Sequence, residues 1–278
     1  MITELHCHSH YSRGRKIQVE GLNSPKEIVE YADGIGLDAV AITDHDEFKG
    51  AVEAELAARK LDITVIKGEE ISTKQGHLIG LGLSEFIPPG MSAELTIDFI
   101  KSQGGVTVAP HPFDLNNKGI GEHAKKCDAV EAFNAINLDR ISNIKATSFC
   151  EKNSLPMVAG SDAHWNLMLG YGLTRAKTQG KDEEALLKAV RKGRIEAGGK
   201  YVPVKTIQTW SLIRMKRSYQ PLLEYISGNY SQPKRFLSKR LLYLTKRSPG
   251  KIDYFFKGLA YAGLAGAVLY GSVKHAAK

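Results

Sequence analysis

Short apolar runs alternate with amphipathic stretches about six times between residues 1 and 204, and this alternation constrains the fold most. The spacing predicts strands over 2–8, 38–43, 63–67, 77–83, 106–109, 129–133 and 156–159. Between them the pattern predicts helices over 25–35, 47–60, 93–103, 138–153 and 182–192. Ser24 and Pro25 open the first helix with a capping residue and a proline at its first position, and Gly36 lies just past its end. Strand, helix, strand in repetition points to an α/β fold with a mainly parallel sheet. An open doubly wound sheet and a closed barrel both fit this count.

After about residue 204 the pattern changes. Pro203, Pro221, Pro233 and Pro249 divide the remainder into short pieces rich in Lys and Arg with interleaved aromatics. Residues 205–278 hold fourteen Lys/Arg against two acids, Glu224 and Asp253. That segment therefore carries +12 and leaves residues 1–204 at −4, within an overall +8. Two units follow: 1–204, and a basic, mostly helical extension over 205–278. Three widely separated cysteines (Cys7, Cys127, Cys150) argue against a disulfide framework. With a polar N-terminus lacking a secretory signal, they lead to a cytoplasmic expectation.

Eight of the nine histidines fall in residues 1–204, most of them at the C-terminal end of a predicted strand. His6 and His8 alternate and so share one face of a strand. His45 lies in Thr43-Asp44-His45-Asp46, and Glu69 and Glu70 follow residues 65–68, just after the third predicted strand. His77 begins the fourth, His111 sits in Ala109-Pro-His-Pro, and Asp162 and His164 sit in Gly160-Ser-Asp-Ala-His. Alone, any one of these is an ordinary hydrogen-bonded side chain. Gathered at one rim, as parallel α/β folds gather their strand ends, so many imidazoles and carboxylates need cations to neutralise them.

These motifs, in this order, resemble the PHP family, named for polymerase and histidinol phosphatase. The resemblance covers residues 1 to about 200 and decides for a barrel. It implies a distorted (β/α)7 barrel with two or three divalent cations at its mouth. It also implies a ligand set: His6, His8, Glu70 and Asp162 for a first cation; Glu70 as a bridge to a second with His77 and His111; His45 and His164 for a third. The family spacing selects Glu70 over Glu69, which is expected to be a solvated or supporting acid. Asp44 and Asp46 are expected to orient His45 or to cap the next helix. The family commonly places an acid or histidine soon after the first pair, and here Arg13 stands there. Arginine keeps its proton and cannot ligate. Either His10 fills in, or the third cation is weak, or two suffice. Arg13, with Arg15 or Lys16, is a candidate fork for a substrate phosphate; an exposed basic loop is the alternative.

Such a site suits metal-dependent hydrolysis of a phosphomonoester or phosphodiester, with nucleotide or nucleic acid favoured and a bridging hydroxide as nucleophile. The His-rich donor set suits Mn, Zn or Fe better than Mg. Cys7, between His6 and His8, alternates to the opposite strand face and is expected to be core. The rival is a non-catalytic scaffold barrel, which should show eroded ligand positions. For the extension three readings stand: a nucleic-acid surface with stacking aromatics (Trp210, Tyr219, Tyr230, Phe236, Tyr243), an anionic membrane surface with 252–273 inserted, or a basic helical appendage packed on the barrel.

Overall fold

A computed structural model describes residues 1–14 and 16–276. Among the described residues, nine strands form one sheet: β1 (Ile2–Cys7), β2 (Ala39–Ile42), β3 (Thr64–Ser72), β4 (His77–Leu81), β5 (Val106–Ala109), β6 (Ala129–Asn134), β7 (Met157–Gly160), β8 (Gly172–Ala176) and β9 (Ile195–Gly199). Their order is β7-β6-β5-β4-β3-β2-β1-β8-β9. Helices α1 (Pro25–Gly34), α2 (Lys49–Ala58), α3 (Ala93–Ser102), α4 (Ile141–Asn153) and α5 (Glu183–Arg191) connect them. The seven expected strands are all present. The last two, β8 and β9, were not expected, because Gly-Leu-Thr-Arg-Ala and Ile-Glu-Ala-Gly-Gly carry neither an apolar run nor clean alternation.

The expectation of a mainly parallel sheet needs correction. β1–β2, β2–β3, β5–β6 and β6–β7 are parallel, but β3–β4, β4–β5, β1–β8 and β8–β9 are antiparallel. Only residues 73–76 separate β3 from β4, too few for the crossover that a parallel pair requires. The sheet curls until β7 meets β8, forming a nearly closed barrel. Thr174 Oγ1 accepts from Ala159 N and donates to Ala159 O, each at 2.9 Å. Gly172 is required at this seam, since a Cβ there would strike the carbonyl of Gly160.

The period of two divides the strand residues between opposite faces. In β2, Val40 and Ile42 pack with Ile28 and Val29 of α1 and Ala51 of α2. Ala39 and Ala41 face the other way and cluster with Ile66, Leu81, Val158 and, from α5, Leu186 and Val190. α1 begins with a full capping box between Ser24 and Glu27, which satisfies two of its otherwise unpaired N–H groups.

Four further helices follow: α6 (Val204–Arg217), α7 (Tyr219–Asn229), α8 (Lys234–Thr245) and α9 (Ile252–Ala276). α6 packs Trp210 and Ile207 into the core cluster of the barrel. α9 is held to α6 by Gln208 Nε2 donating to Asp253 O at 2.9 Å, and to the barrel loops by Lys274 Nζ on Asn117 Oδ1 at 2.9 Å.

Candidate metal centre

The barrel brings the C-terminal ends of several strands to one mouth, and the eight candidate ligands meet there. His6 lies in β1 and His8 just beyond it; the pair faces inward with Nε2 atoms 3.1 Å apart. Glu70 is fully buried in β3 and faces five imidazoles. Its Oε2 lies 3.4 Å from His6 Nε2, 3.3 Å from His8 Nε2 and 3.0 Å from His45 Nδ1. Its Oε1 lies 2.8 Å from His77 Nδ1 and 3.0 Å from His111 Nε2. The two oxygens thus face two different histidine sets. Asp162 Oδ1 lies 3.5 Å from His6 Nε2 and 3.2 Å from His8 Nε2. Asp162 and His111 have φ of +52° and +29°, a left-handed backbone that costs non-glycine residues on the order of 1–3 kcal/mol each. Their neighbours hold them there: His111 N donates to Glu131 Oε2 at 2.8 Å, and Asn134 Nδ2 donates to Asp162 Oδ2 at 3.2 Å.

Supporting groups set the tautomers. His6 Nδ1–H donates to Glu131 Oε1 at 2.9 Å, and His8 Nδ1–H to Ser12 Oγ at 3.0 Å. His164 Nδ1–H donates to the carbonyl of Asp162 at 2.9 Å. Each bond keeps a proton on Nδ1 and leaves Nε2 as the nitrogen that would ligate once a cation displaces any proton there. Ser12 in turn donates to Asp44, which also accepts from Ser9 N and Ser9 Oγ. Through Ser12, Asp44 therefore acts both on the His8 ring and on His45, whose backbone N–H donates to Ser12 Oγ at 3.0 Å. Asp46 accepts from Ser72 N at 2.7 Å. Neither caps α2, whose N-cap, Phe48, makes no side-chain bond.

The electrostatics follow from this crowding. Burial pushes the Glu70 carboxyl up, but His45, His77, His6 and a bond from His111 outweigh it and hold the group well below the usual range. Asp162 behaves alike: burial raises it, and His6, His8 and His164 bring it well down. Burial, with His164 and His45 beside it, pushes His8 well below an ordinary imidazole. His6 goes the other way, because Asp162, Glu131 and Glu70 outweigh its burial.

The residues fit divalent cations. Four overlapping trios have ligand atoms within 4.8 Å of one another: His8/His45/His164, His6/His8/Glu70, His6/His111/Asp162 and His45/Glu70/His77. Buried His111 Nδ1 has no partner among the described residues. Nitrogen and carboxylate donors in such mixed sets suit divalent cations.

Glu69 corrects an expectation. It is not solvated; it alternates away from Glu70, is fully buried and accepts from Ile87 N at 3.0 Å. Burial raises its carboxyl to about 8. Cys7 is buried core on the opposite face from His6, with its Sγ on the Ala41 carbonyl at 3.2 Å. Arg13 and Lys16 line the cavity above the centre, whereas His10 does not: it is exposed, with its ring against Tyr11. Arg15 lies outside the described residues. The cavity measures about 1050 Å³, and Lys118 and, from α6, Arg214 add to its basic lining. Glu131 and Asn134 went unnoticed in the sequence, where Ala-Val-Glu-Ala-Phe-Asn reads as an ordinary strand.

The model of a PHP-associated family matches residues 140–195. An uncharacterized protein of Methanocaldococcus jannaschii is 39% identical over 149 residues, 51% of this chain and 87% of the relative. A 5'-3' exoribonuclease of Haemophilus influenzae is 39% identical over 89 residues, 31% of this chain and only 30% of that enzyme. A two-domain protein from Bacteroides vulgatus, described as containing a predicted PHP-like metal-dependent phosphoesterase, superposes with a TM-score of 0.60 at 20% identity. That superposition covers 72% of this chain and 65% of the other and establishes the likeness of fold. With its ordered motifs, barrel and converging ligand set, the chain belongs to the PHP family.

Proposed function

We propose that this protein is a metal-dependent hydrolase of phosphate esters, with a nucleotide or nucleic acid as the favoured substrate. One observation carries the reading: Glu70 directs its two oxygens to separate histidine sets beneath a cavity lined by Arg13, Lys16, Lys118 and Arg214. Divalent cations held there would supply Lewis-acid polarisation of the phosphoryl group and activation of an attacking water. The chain's own groups do the rest. Glu131, Ser12 and the Asp162 carbonyl each hold a proton on Nδ1 of His6, His8 and His164, respectively, which leaves Nε2 of each as the nitrogen available to a cation. The basic lining opposes the substrate's negative charge and orients a phosphate at the mouth. Trp210 of α6 lies 5.1 Å from the His164 ring and walls one side of the cavity. The nucleic-acid preference is supported by the exoribonuclease similarity together with this basic lining.

The test is hydrolysis of p-nitrophenyl phosphate, bis-p-nitrophenyl phosphate and a short RNA by manganese-loaded protein. Asp162→Asn is expected to lose hydrolysis and bound manganese together. A manganese-loaded protein inert on all three substrates would favour the scaffold alternative, and activity surviving complete chelation would overturn the mechanism.

A second reading concerns the extension, which we propose rests on an anionic membrane surface. Over Ile252–Lys274, α9 is long and apolar enough to cross a bilayer by length and composition, and it is almost wholly uncovered. Tyr254, Leu259, Tyr261, Leu269 and Val273 are exposed along it, with Lys246, Arg247, Lys251 and Lys257 at its N-terminal side. Of the five aromatics of the nucleic-acid alternative, Phe236 and Tyr243 are exposed and the other three are engaged within the chain. Trp210 is buried, Lys246 lies 3.8 Å over Tyr219, and Lys234 lies 4.1 Å over Tyr230.

A further inference from the structure

We propose that Glu20 is the missing ligand of a third cation position, completing the trio His8, His45 and His164, and that the C-terminal extension holds it in place. This inference rests on the metal-centre reading above. The three imidazoles are packed face to face, with the His8 ring 4.6 Å from His45 and 4.2 Å from His164. One ligand atom of each lies within 4.8 Å of the others. A divalent cation among neutral nitrogens alone lacks a balancing negative charge, and Glu70 is already shared across the opposite side. Arg13 cannot ligate, and His10 turns to Tyr11.

Glu20 comes from the long loop between His8 and α1. Its Oε2 lies 3.7 Å from His45 Nε2, while His45 Nδ1 is the nitrogen that faces Glu70, and Glu20 lines the same cavity as His164. At 21% exposure the carboxylate is open to the cavity without being free in solvent.

The loop does not hold this position by itself. Leu22 N donates to the His164 carbonyl at 2.9 Å, which ties the loop directly to a ligand residue. Two bonds come from the extension: Trp210 Nε1–H donates to the Glu20 carbonyl, and Val19 N–H donates to Ser218 Oγ, each at 2.9 Å. Both partners are buried, Trp210 at 6% and Ser218 at 1% exposure, so these bonds are shielded from competing water. Gly14 makes room for the carboxylate, since a Cβ there would meet Glu20 Oε1 and stand 2.6 Å from the Ile17 carbonyl. Gly21 similarly lets the chain lie directly against the Ser9 carbonyl. Trp210 and Ser218 are thus positioning residues for a ligand nearly 200 residues earlier.

The test counts cations without using activity. Full-length protein is stripped with chelator, titrated with Mn²⁺, and free Mn²⁺ is followed by electron paramagnetic resonance. Wild type is expected to bind three Mn²⁺ per chain and Glu20→Gln two, with the two tighter sites unchanged. Trp210→Phe and Ser218→Ala are expected to weaken the third site about tenfold and leave the other two alone. Circular dichroism of the metal-free variants confirms that they fold, and Glu20→Gln keeps the loop's backbone bonds. Three unchanged sites in Glu20→Gln, or two in both proteins, would overturn the assignment of Glu20 while leaving the bridged pair standing. A third site indifferent to both Trp210→Phe and Ser218→Ala would overturn the role of the extension. A wild-type protein that binds no Mn²⁺ would instead remove the metal-centre reading itself.

Discussion

Glu131→Gln should weaken cation binding by changing which nitrogen of His6 carries the proton. Glu131 is buried and uses both oxygens as acceptors. Oε2 takes two donors, His111 N at 2.8 Å and Asn134 Nδ2 at 2.9 Å; Oε1 takes one, His6 Nδ1 at 2.9 Å. A glutamine has a single carbonyl oxygen, and turning it toward the two donors keeps more bonds than turning it toward one. Its NH2 then faces His6 Nδ1, which must become the acceptor. The His6 proton moves to Nε2, the atom that faces Glu70, Asp162 and His8. A protonated Nε2 cannot ligate, so binding must first restore the other tautomer against the amide. Loss of such a supporting bond typically costs about 10- to 100-fold in affinity, or about 1.4–2.7 kcal/mol. Competition between protein and a fluorescent chelator for Mn²⁺ measures it directly, and thermal melting of the metal-free variant separates this from loss of fold. An affinity within about threefold of wild type would refute the tautomer argument.

Other outcomes follow from the same geometry. Arg13 lines the cavity from an exposed loop, so Arg13→Ala should raise KM for a phosphate ester about tenfold and change kcat little; unchanged kinetics would return Arg13 to an ordinary basic loop. All three cysteines are buried, and burial raises their thiols, Cys127 to about 12 and Cys150 to about 11, with Cys7 well above its ordinary value. At pH 8 a disulfide reagent should therefore label none of them in the native protein and all three in urea, and rapid labelling of Cys7 would reopen a thiol role. The protein should float with phosphatidylserine vesicles, less so at high salt, and Leu259→Asp with Leu269→Asp should abolish flotation. Binding that persists in the double variant would exclude α9 as the contact.

Much of this was legible in the chain because it is local. The α1 capping box lies within four residues, and β2 shows its two faces through simple alternation. The ligand motifs are short, and each sits at or near a strand end, so their order along the chain identifies the family. Glu69 shows the limit of local reading. Adjacent carboxylates look equally exposed in a sequence, yet one faces the ligands and the other is sealed beneath Ile87. Half of the antiparallel pairings were likewise hidden, since β8 and β9 announce themselves only when the curled sheet leaves them a place to pair.

The sequence by itself determined the donor inventory: eight imidazoles and carboxylates in the family's order, with an arginine where another acid was expected. Tertiary structure alone decided what surrounds them. Glu131 reaches His6 from 125 residues away, and Trp210 reaches the Glu20 carbonyl across 190. No periodicity or spacing rule links such pairs, because their contact depends on barrel closure and on the docking of α6 at its mouth. Ligand identity is a property of residue chemistry, whereas tautomer, bridging and the place of Glu20 are properties of distance, and only the folded chain sets distances.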